Sequence, residues 1–453
     1  MTRLERLTLV AAILGSFVAF LDGSVVNVAL PAIRRSLGGG ITAQQWIVDA
    51  YLLTLGSLIL IAGSLSDLFG RKRVFAGGLL GFGAASLACA LAPTPTILIV
   101  ARGLQGAAGA LLVPSSLALI ISQFTGDAQA RAIGTWTAWT GISFIVGPLV
   151  GGALVDAGGA AHPGSWRWVF AINVAPIAAT MLVLARLPPD HACERGRSVD
   201  VWGAALCALG LGCVIFALIE QPKAGWTAPQ IWIPLASGVA ALAAFFVWEL
   251  AAPDPMLDFA LFRSRNFAVG NAATVAIYAG LTAATFQLTL FLQQVAGYPA
   301  FAAGMALLPV TLLMFFLSPR FGRLAGRHGP RLFMAAGPIV AGVGLWMLAR
   351  MGVHPRYSRD VLPGMIVFGL GLASTVAPLT AAVLGGVDER HAGIASAINN
   401  AVSRIAGLLA VAALGARAFQ PAMTVMAVLL VLGGLVSAVG ITNRAPRRSV
   451  GAP

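Results

Sequence analysis

The stretch Gly63-Ser-Leu-Ser-Asp67-Leu-Phe-Gly70-Arg71-Lys72-Arg73 decides the fold of this chain. It ends an apolar run that starts at Trp46, and the next apolar run begins at once with Val74. Each run is long enough to cross the hydrocarbon core of a bilayer, which takes about 20 residues of helix. The connection is too short to link two domains, so it predicts a tight, charged hairpin at a membrane surface.

The composition agrees with a membrane protein. Hydrophobic residues make up 58% of the 453 positions and charged residues 10%, whereas soluble domains carry about 25% charged residues. The net charge of +13 comes from short cationic clusters between apolar runs, which is typical of positive-inside loops and not of a nucleic-acid-binding domain. About 14 apolar runs reach spanning length. The distribution of Lys and Arg places both chain termini on the cytoplasmic side.

Neither the start of the chain nor its cysteines indicates processing, metal binding or redox chemistry. Arg3 and Arg6 precede an apolar run, as in a signal peptide. That run continues past Asp22 to Leu30 without a cleavage-site pattern, so we expect it to be the first membrane span. The four cysteines form no CxxC or Cys/His cluster, which predicts no metal site and no disulfide.

A faint internal repeat indicates two related halves. The stretch Gly322-Arg-Leu-Ala-Gly326-Arg327-His-Gly329-Pro-Arg331 has the Gly-x-Leu start, the basic centre and the late glycine of the first hairpin. Duplicated halves are typical of secondary transporters, which hold the substrate at the interface of the repeats. We therefore predict a six-helix N-terminal bundle over 1–190, two inserted membrane helices over 191–258 and a six-helix C-terminal bundle over 259–453.

Motifs in four spans, together with the first hairpin, resemble a known family. The first span contains Leu21-Asp22-Gly-Ser-Val-Val-Asn27-Val-Ala-Leu-Pro31, and the fourth contains Ala101-Arg102-Gly-Leu-Gln105-Gly106-Ala-Ala-Gly109. The fifth has Gly141 followed by Gly147-Pro148-Leu-Val-Gly151-Gly152, and the sixth opens with Trp166-Arg167-Trp168-Val-Phe170. In this order they resemble the fourteen-span drug/proton antiporter branch of the major facilitator superfamily.

The resemblance implies a fold and a function. The fold is an all-α membrane protein of the major facilitator type, with two six-helix bundles plus two inserted helices. The function is export of small amphipathic compounds such as drugs or antibiotics by alternating access, in exchange for protons and without a cofactor. We expect a monomer in the cytoplasmic membrane. Two features depart from the branch: Gly326 stands where the family often has Asp, and the last outer loop, near 415–420, is short.

The acid Asp22 is the first candidate for proton coupling. An ionisable side chain within a span costs about 2.5–3.5 kcal/mol on insertion scales and normally faces a cavity or a partner. The resemblance places the first and fourth helices beside the cavity, which makes Arg102 the expected partner. One face of the fourth helix then carries Arg102, Gln105, Gly106 and Gly109. A pairing that changes between inward and outward states would couple transport to protons; a static ion pair is the alternative.

The first hairpin has two interpretations. As a cytoplasmic gate, Asp67 would pair with a helix N-terminus or with a cation such as Arg131 and hold the inner side shut. The other predicted gate residues are Gly63, Gly70, Arg71, Lys72 and Arg73. Alternatively, the three cations only fix the topology against anionic lipids.

The small residues of the fifth span have no reactive chemistry. Small residues four apart let helices approach closely, and Pro148 removes a backbone donor and can kink the helix. The resemblance implies a tightly packed gate that marks exporters over importers, and ordinary helix packing is the alternative. The residues are Gly141, Gly147, Pro148, Gly151 and Gly152.

Polar and aromatic residues within the spans are candidates for a substrate pocket. A broad amphipathic pocket combines aromatic walls with a few hydrogen-bonding groups, although any one such residue can equally be a satisfied core residue. The candidates are Asn27, Gln105, Trp136, Trp139, Gln287, Gln293, Gln294, Asn399 and Asn400. Trp166 and Trp168 are interpreted as interfacial anchors. Arg404 would attract an anionic group, pair with a distant acid or reach the inner surface.

The sequence therefore predicts a proton-coupled exporter, with a proton-coupled importer of a small nutrient or metabolite as the alternative. No GxxxxGK[ST] motif occurs, which favours an ion gradient over ATP as the energy source. A membrane enzyme would need clustered nucleophiles or metal ligands in the spans, and the sequence has no such cluster. A receptor or structural subunit should lack paired intramembrane charges such as Asp22 and Arg102.

Overall fold

The computed structural model describes residues 1–157, 164–188, 200–253, 255–385, 387 and 392–443. Every regular element within these ranges is helical, because a chain in hydrocarbon must pair its backbone polar groups inside its own helices. The α-helices are Arg3–Leu37 (α1), Gly40–Phe69 (α2), Arg71–Leu91 (α3), Pro95–Gln123 (α4), Gly126–Ala157 (α5), Trp168–Ala171 (α6), Val174–Ala185 (α7), Val201–Ala224 (α8), Pro229–Ala251 (α9), Arg265–Gln294 (α10), Ala300–His328 (α11), Arg331–Ala349 (α12), Leu362–Gly385 (α13), Ala392–Leu414 (α14) and Phe419–Gly440 (α15).

Thirteen helical segments of the described chain are long and apolar enough to cross a membrane. One of them is composite, since a 3-10 turn at Ser165–Arg167 and the helices α6 and α7 together form the segment Ser165–Ala185. Helix α2, with 30 residues, also exceeds the length of about 20 that a span needs. The predicted all-α membrane protein with about 14 spans is confirmed.

A single glycine separates the second helix from the third. Gly70 ends α2 and starts α3 with φ 93° and ψ 135°, a backbone conformation that residues with a Cβ rarely adopt. The tight hairpin expected from the sequence is therefore present. The second hairpin turns in a related way, because Gly329 has φ 86° between α11 and α12.

The chain divides into two compact units. Unit 1 comprises Met1–Met256, Thr285–Leu308 and Leu408–Arg417, and unit 2 comprises Leu257–Ala284, Pro309–Gly407 and Ala418–Pro453. In unit 1, α4 packs against α2 and α3, α1 packs against α5, and the α8–α9 pair contacts α2 through α8. In unit 2, α12 packs against α13 and α15. The boundaries expected after residues 190 and 258 stay a prediction.

The prediction that Trp166 is an interfacial anchor is wrong. Trp168 is 64% exposed, whereas Trp166 is fully buried. The Trp166 ring packs edge-on against Phe170 with centroids 6.1 Å apart, and the guanidinium of Arg167 lies 4.5 Å from its centroid. Arg167 Nη1 also donates to the carbonyl oxygen of Ala90 at 2.8 Å. This motif therefore joins the start of the sixth span to the end of α3 instead of reaching lipid headgroups.

The positive φ of Gly70 gives a stability prediction. Gly70→Ala places a Cβ on a residue with positive φ in a sparsely populated backbone region, which costs of order 1–3 kcal/mol, so we expect a lower thermal unfolding temperature of the purified protein in detergent. Gly77→Ala is the matched control, because an added Cβ there meets nothing within 4 Å and alanine favours a helix. Equal unfolding temperatures for the two variants would contradict the assignment of strain to Gly70.

Candidate proton-coupling site

Asp22 lies at the centre of a buried polar network in unit 1. Its side chain is 0% exposed on α1, and its Oδ2 forms an ion pair with Nη1 of Arg102 on α4. Its Oδ1 accepts hydrogen bonds from Gln105 Nε2 at 2.9 Å and from Asn173 Nδ2 at 3.0 Å. Both oxygens of the carboxylate are thus bonded to donors, and the partner predicted from the sequence is the one found.

Arg102 is held on several sides. Its Nε donates to the carbonyl oxygen of Ile47 at 3.0 Å, and its Nη1 donates to Gln105 Oε1 at 2.7 Å. The guanidinium carbon lies 4.2 Å from the ring centroid of Tyr51 and 5.8 Å from that of Phe170. A guanidinium in a dry site gains from both kinds of contact, since cation–π attraction strengthens when the cation loses its water. These contacts fix Arg102 in one orientation.

A second layer of polar atoms supports the amides that bind Asp22. Ser86 Oγ on α3 accepts from Gln105 Nε2 at 2.8 Å and from Asn173 Nδ2 at 3.3 Å. Cys89, also on α3, donates its thiol to Gln105 Oε1 at 3.6 Å. Four elements, α1, α3, α4 and the α6–α7 junction, therefore converge on one carboxylate.

The face of α4 that carries the network also carries the residues that let the helices meet. A Cβ at Gly106 would collide with the carbonyl oxygen of Tyr51 and the hydroxyl of Thr54. The Thr54 hydroxyl donates to the carbonyl oxygen of Gly103 at 2.7 Å. Gly109, one turn further, faces the ring of Phe82. This close approach brings α2 near enough for its backbone to bind Arg102.

The network has clear energetic consequences. In a buried ion pair the attraction offsets a large desolvation cost, and removing one partner costs about 3–5 kcal/mol because the other charge stays buried and unpaired. An ionised Asp22 satisfies all three of its donors, whereas a proton on it would remove the attraction for Arg102. The ion pair and the two amide hydrogen bonds therefore join α1 to α4 and to the α6–α7 junction.

The comparisons with known proteins identify the family. The family model described as Major Facilitator Superfamily matches residues 12–411. The chain belongs to the major facilitator superfamily. It is 37% identical over 417 residues to the multidrug resistance protein Stp of Mycobacterium tuberculosis (strain CDC 1551 / Oshkosh), covering 92% of this chain and 76% of that protein.

Two further relatives are similar over comparable lengths. The methylenomycin A resistance protein of Bacillus subtilis (strain 168) is 34% identical, with 90% of this chain and 86% of that protein covered. The puromycin resistance protein pur8 of Streptomyces alboniger is 35% identical, with 90% and 80% covered.

Solved structures of major facilitator transporters share the fold. The xylose transporter XylE from E. coli, in its inward-open conformation, gives a TM-score of 0.67 at 13% identity and covers 98% of this chain and 97% of that one. An auto-inhibited peptide transporter of the POT family gives 0.68 at 16% identity, with 99% of both chains covered. The family assignment and the fold therefore agree.

The first hairpin of this major facilitator protein is only partly described. Arg71 Nη1 donates to the carbonyl oxygen of Ala118 at 3.5 Å, and Lys72 Nζ donates to that of Leu187. Arg131 is exposed on α5. The burial of Gly63 and the side chain of Asp67 lie outside what the structure describes, so the expected pairing of Asp67 with Arg131 stays a prediction.

The fifth span packs as closely as its glycines suggest, with one exception. On one side, a Cβ at Gly147 would collide with the hydroxyl of Ser24, and a Cβ at Gly151 would lie 3.0 Å from the carbonyl oxygen of Val25. On the other side, a Cβ at Gly152 would lie 2.7 Å from the backbone nitrogen of Phe301. Gly141 is the exception, since a Cβ there would meet nothing within 4 Å.

The start of α11 is joined to α5 within unit 1 by two further contacts. A Cβ at Gly304 would collide with the carbonyl oxygen of Pro148. Asp156, at the end of α5, accepts from the backbone nitrogens of Ala300 at 3.1 Å and of Phe301 at 2.7 Å. A carboxylate at a helix N-terminus binds N–H groups that the helix itself leaves unpaired. Helix α5 therefore contacts both α1 and the start of α11 at backbone distance.

The substrate-pocket candidates fall into different surroundings. Gln105 belongs to the Asp22 network, and Trp136 Nε1 donates to Ser16 Oγ at 3.1 Å. Gln287 Nε2 donates to the carbonyl oxygen of Leu414 at 2.8 Å, and Gln293 Nε2 to that of Val28 at 2.9 Å. Gln287 therefore binds the end of α14, and Gln293 joins the end of α10 to α1.

The remaining candidates are more accessible or lie in unit 2. Asn27 is half-buried on α1, and Trp139 is 53% exposed on α5. In unit 2, Asn400 Oδ1 accepts from Arg404 Nε at 3.4 Å, and Asn399 Nδ2 donates to Thr274 Oγ1 at 2.8 Å. A binding role for any of these residues stays a prediction.

Sequence reasoning missed three polar residues of unit 1. Asn173 and Ser86 complete the surroundings of Asp22, and Asp49 is a second fully buried acid, on α2. The signal for Asp49 was present, since an acid within an apolar run of spanning length is rare. Asn173 had a weaker signal, a lone amide between the Trp166 motif and Pro176.

The contrast between two glycines of α5 gives a prediction for this site. Gly152→Ala forces a Cβ against backbone atoms of the start of α11, and overpacking of this kind costs about 1–3 kcal/mol. We expect a lower unfolding temperature and a weaker attachment of α11 to α5. Gly141→Ala is the control on the same helix and should be neutral or stabilising.

The measurement is thermal unfolding in detergent, combined with alkylation of a cysteine placed at Phe301. Faster alkylation in Gly152→Ala than in Gly141→Ala is the expected result. Equal alkylation rates and equal unfolding temperatures would show that the close packing at Gly152 has no consequence.

Proposed function

We propose that this chain exports small amphipathic compounds, including drugs or antibiotics, across the cytoplasmic membrane in exchange for protons. Relatives that are 34–37% identical over 90–92% of the chain carry names for multidrug, methylenomycin A and puromycin resistance. Resistance to compounds of such different structure favours an amphipathic substrate class over one nutrient.

The observation that carries the proton-coupling part is the buried Asp22 network. Ionisable groups inside a membrane are costly and mark ion and proton pathways. Asp22 has a cationic partner and two amide donors, all on elements other than its own. A movement of α1 relative to α4 would separate the carboxylate from those donors and change its affinity for a proton.

The proposed cycle follows from this geometry. A proton that reaches Asp22 from the outer side neutralises the carboxylate and removes its attraction for Arg102. On return to the arrangement seen here, Asp22 meets Arg102, Gln105 and Asn173 again, and the proton leaves towards the cytoplasm. Each proton entering the cell contributes about 2.3 kcal/mol per 100 mV of membrane potential, so no bound cofactor is required.

The gates in this proposal are the two regions of close packing. Gly147, Pro148, Gly151 and Gly152 hold α5 against its neighbours and limit leakage of protons and substrate. The first hairpin, with Asp67, Arg71, Lys72 and Arg73, closes the cytoplasmic side. Both chain termini lie in the cytoplasm, and one copy of the chain is the functional unit.

Proton release in everted membrane vesicles tests the proposed function. Vesicles containing the wild-type protein are acidified inside, and an interior pH dye reports alkalinisation when puromycin, methylenomycin A or ethidium is added. We expect alkalinisation with at least one of these compounds. Asp22→Asn should abolish it, since the coupling carboxylate is gone.

A double variant separates coupling from folding. Asp22→Asn alone leaves Arg102 buried without its counter-charge, so its unfolding temperature should fall. Asp22→Asn combined with Arg102→Gln removes both charges and should recover much of the stability but not the alkalinisation. Alkalinisation as strong as in the wild type in the single variant would contradict the coupling role. If the wild type moved none of the three compounds, export of this class would be contradicted.

A further inference from the structure

A second acid of unit 1 has surroundings opposite to those of Asp22. Asp49 lies on α2 and is 0% exposed. Neither of its carboxylate oxygens has a hydrogen-bond partner among the described residues. An ionised carboxylate without partners in an apolar site is so unfavourable that the group takes up a proton instead. The surroundings of Asp49 therefore fit a neutral carboxylic acid.

An acceptor for that proton lies one helical turn away. Gln45 precedes Asp49 by four residues and shares its helical face. Its Nε2 donates to the carbonyl oxygens of Val411 at 2.9 Å and Ala412 at 3.2 Å, which fixes the orientation of the amide. Its Oε1 is buried and has no hydrogen-bond donor in the part of the chain that the structure describes. One proton on Asp49 would supply the donor that Gln45 lacks.

Among the described residues, the charged and titratable groups on the neighbouring helices make no hydrogen bond to the carboxylate oxygens of Asp49. Arg102 of α4 binds the Ile47 carbonyl and the Tyr51 ring, which lie on the opposite face of α2 from Asp49. Asp22 of α1 is paired with Arg102. On α8, Glu220 accepts from Trp46 at 3.4 Å. Cys207 of α8 and Cys89 of α3 are thiols, and Cys89 is bonded to Gln105.

We infer that Asp49 is a second proton-binding site of the transporter, and that it holds a proton in this conformation while Asp22 is ionised. The role of this site in the transport cycle rests on the proposed function. Asp49 would release its proton when the helices move and α2 exposes it to water. Each cycle would then exchange protons at two carboxyl groups, one bonded to a cation and one bonded to an amide.

Infrared difference spectroscopy of the purified full-length protein tests the protonation state without any substrate. Near neutral pH, the spectrum of wild type minus Asp49→Asn should contain the carbonyl stretch of a protonated carboxylic acid, shifted in D2O. The spectrum of wild type minus Asp22→Asn should contain carboxylate bands. If the spectrum of wild type minus Asp49→Asn contained carboxylate bands in place of the carboxylic acid band, Asp49 would be ionised and the inference would be overturned. Glu220→Gln is the control, and it should leave the Asp49 band in place.

Stability gives an independent readout. An amide is nearly isosteric with a neutral carboxyl group, so Asp49→Asn should unfold at a temperature close to that of the wild type. Asp22→Asn should unfold at a lower one, because it breaks an ion pair. A fall for Asp49→Asn as large as that for Asp22→Asn would overturn the neutral state of Asp49.

Transport gives the readout for coupling, using whichever of puromycin, methylenomycin A or ethidium the wild type exports. The logarithm of its accumulation is measured against the imposed pH gradient. The slope reports the number of protons exchanged per substrate molecule. In Asp49→Asn we expect that number to fall by one, or gradient-driven accumulation to be lost, whereas Glu220→Gln should keep the wild-type slope. An unchanged slope in Asp49→Asn would overturn the second site. Failure of the wild type to export any of them would contradict the proposed function, and the infrared result would still decide the protonation of Asp49.

Discussion

The ion pair between Asp22 and Arg102 is the interaction on which the arrangement of unit 1 depends. Both side chains are almost completely buried, and inside a membrane protein neither charge can be solvated by water. Each must therefore find its partners among the helices, and α1, α2, α3, α4 and the α6–α7 junction supply them. A change of charge at this one point would therefore alter contacts of all of these elements.

Close packing makes such a network possible. Lipid tails are as apolar as the side chains that face them, so association of membrane helices relies on contact at short distance and on hydrogen bonds. Gly106 brings α4 to the backbone of α2, and Gly147, Gly151 and Gly152 bring α5 to α1 and to the start of α11. Gly141 belongs to the same motif but makes no such contact. Sequence spacing alone could not separate it from the others.

The sequence predicts the spans, the Gly70 hairpin and the importance of Asp22 because each depends on local pattern or on one rare charge in an apolar run. The choice of Arg102 as the partner of Asp22 depends on the family resemblance, which places the first and fourth helices together. It does not predict Asn173 or Ser86 as partners of Asp22, since those contacts arise only where separate helices converge. Trp166 was misread for a related reason: aromatic residues near a span end usually face the interface, but here the ring packs against Phe170. Gln287 donates to a carbonyl oxygen at the end of α14, and its role in a substrate pocket stays a prediction. Burial and pairing are properties of the assembled helices, and a single-span pattern does not contain them.

The central claim is that Asp22 couples transport to protons and is not needed for the movement itself. Substrate counterflow in proteoliposomes tests this most directly, because exchange of a labelled for an unlabelled compound, chosen as the one of puromycin, methylenomycin A or ethidium that the wild type exports, needs no pH gradient. The account predicts that Asp22→Asn, with Arg102→Gln to keep the site neutral, still exchanges that compound but cannot accumulate it against a gradient. Loss of exchange in a protein that remains folded, or accumulation as strong as in the wild type, would contradict it.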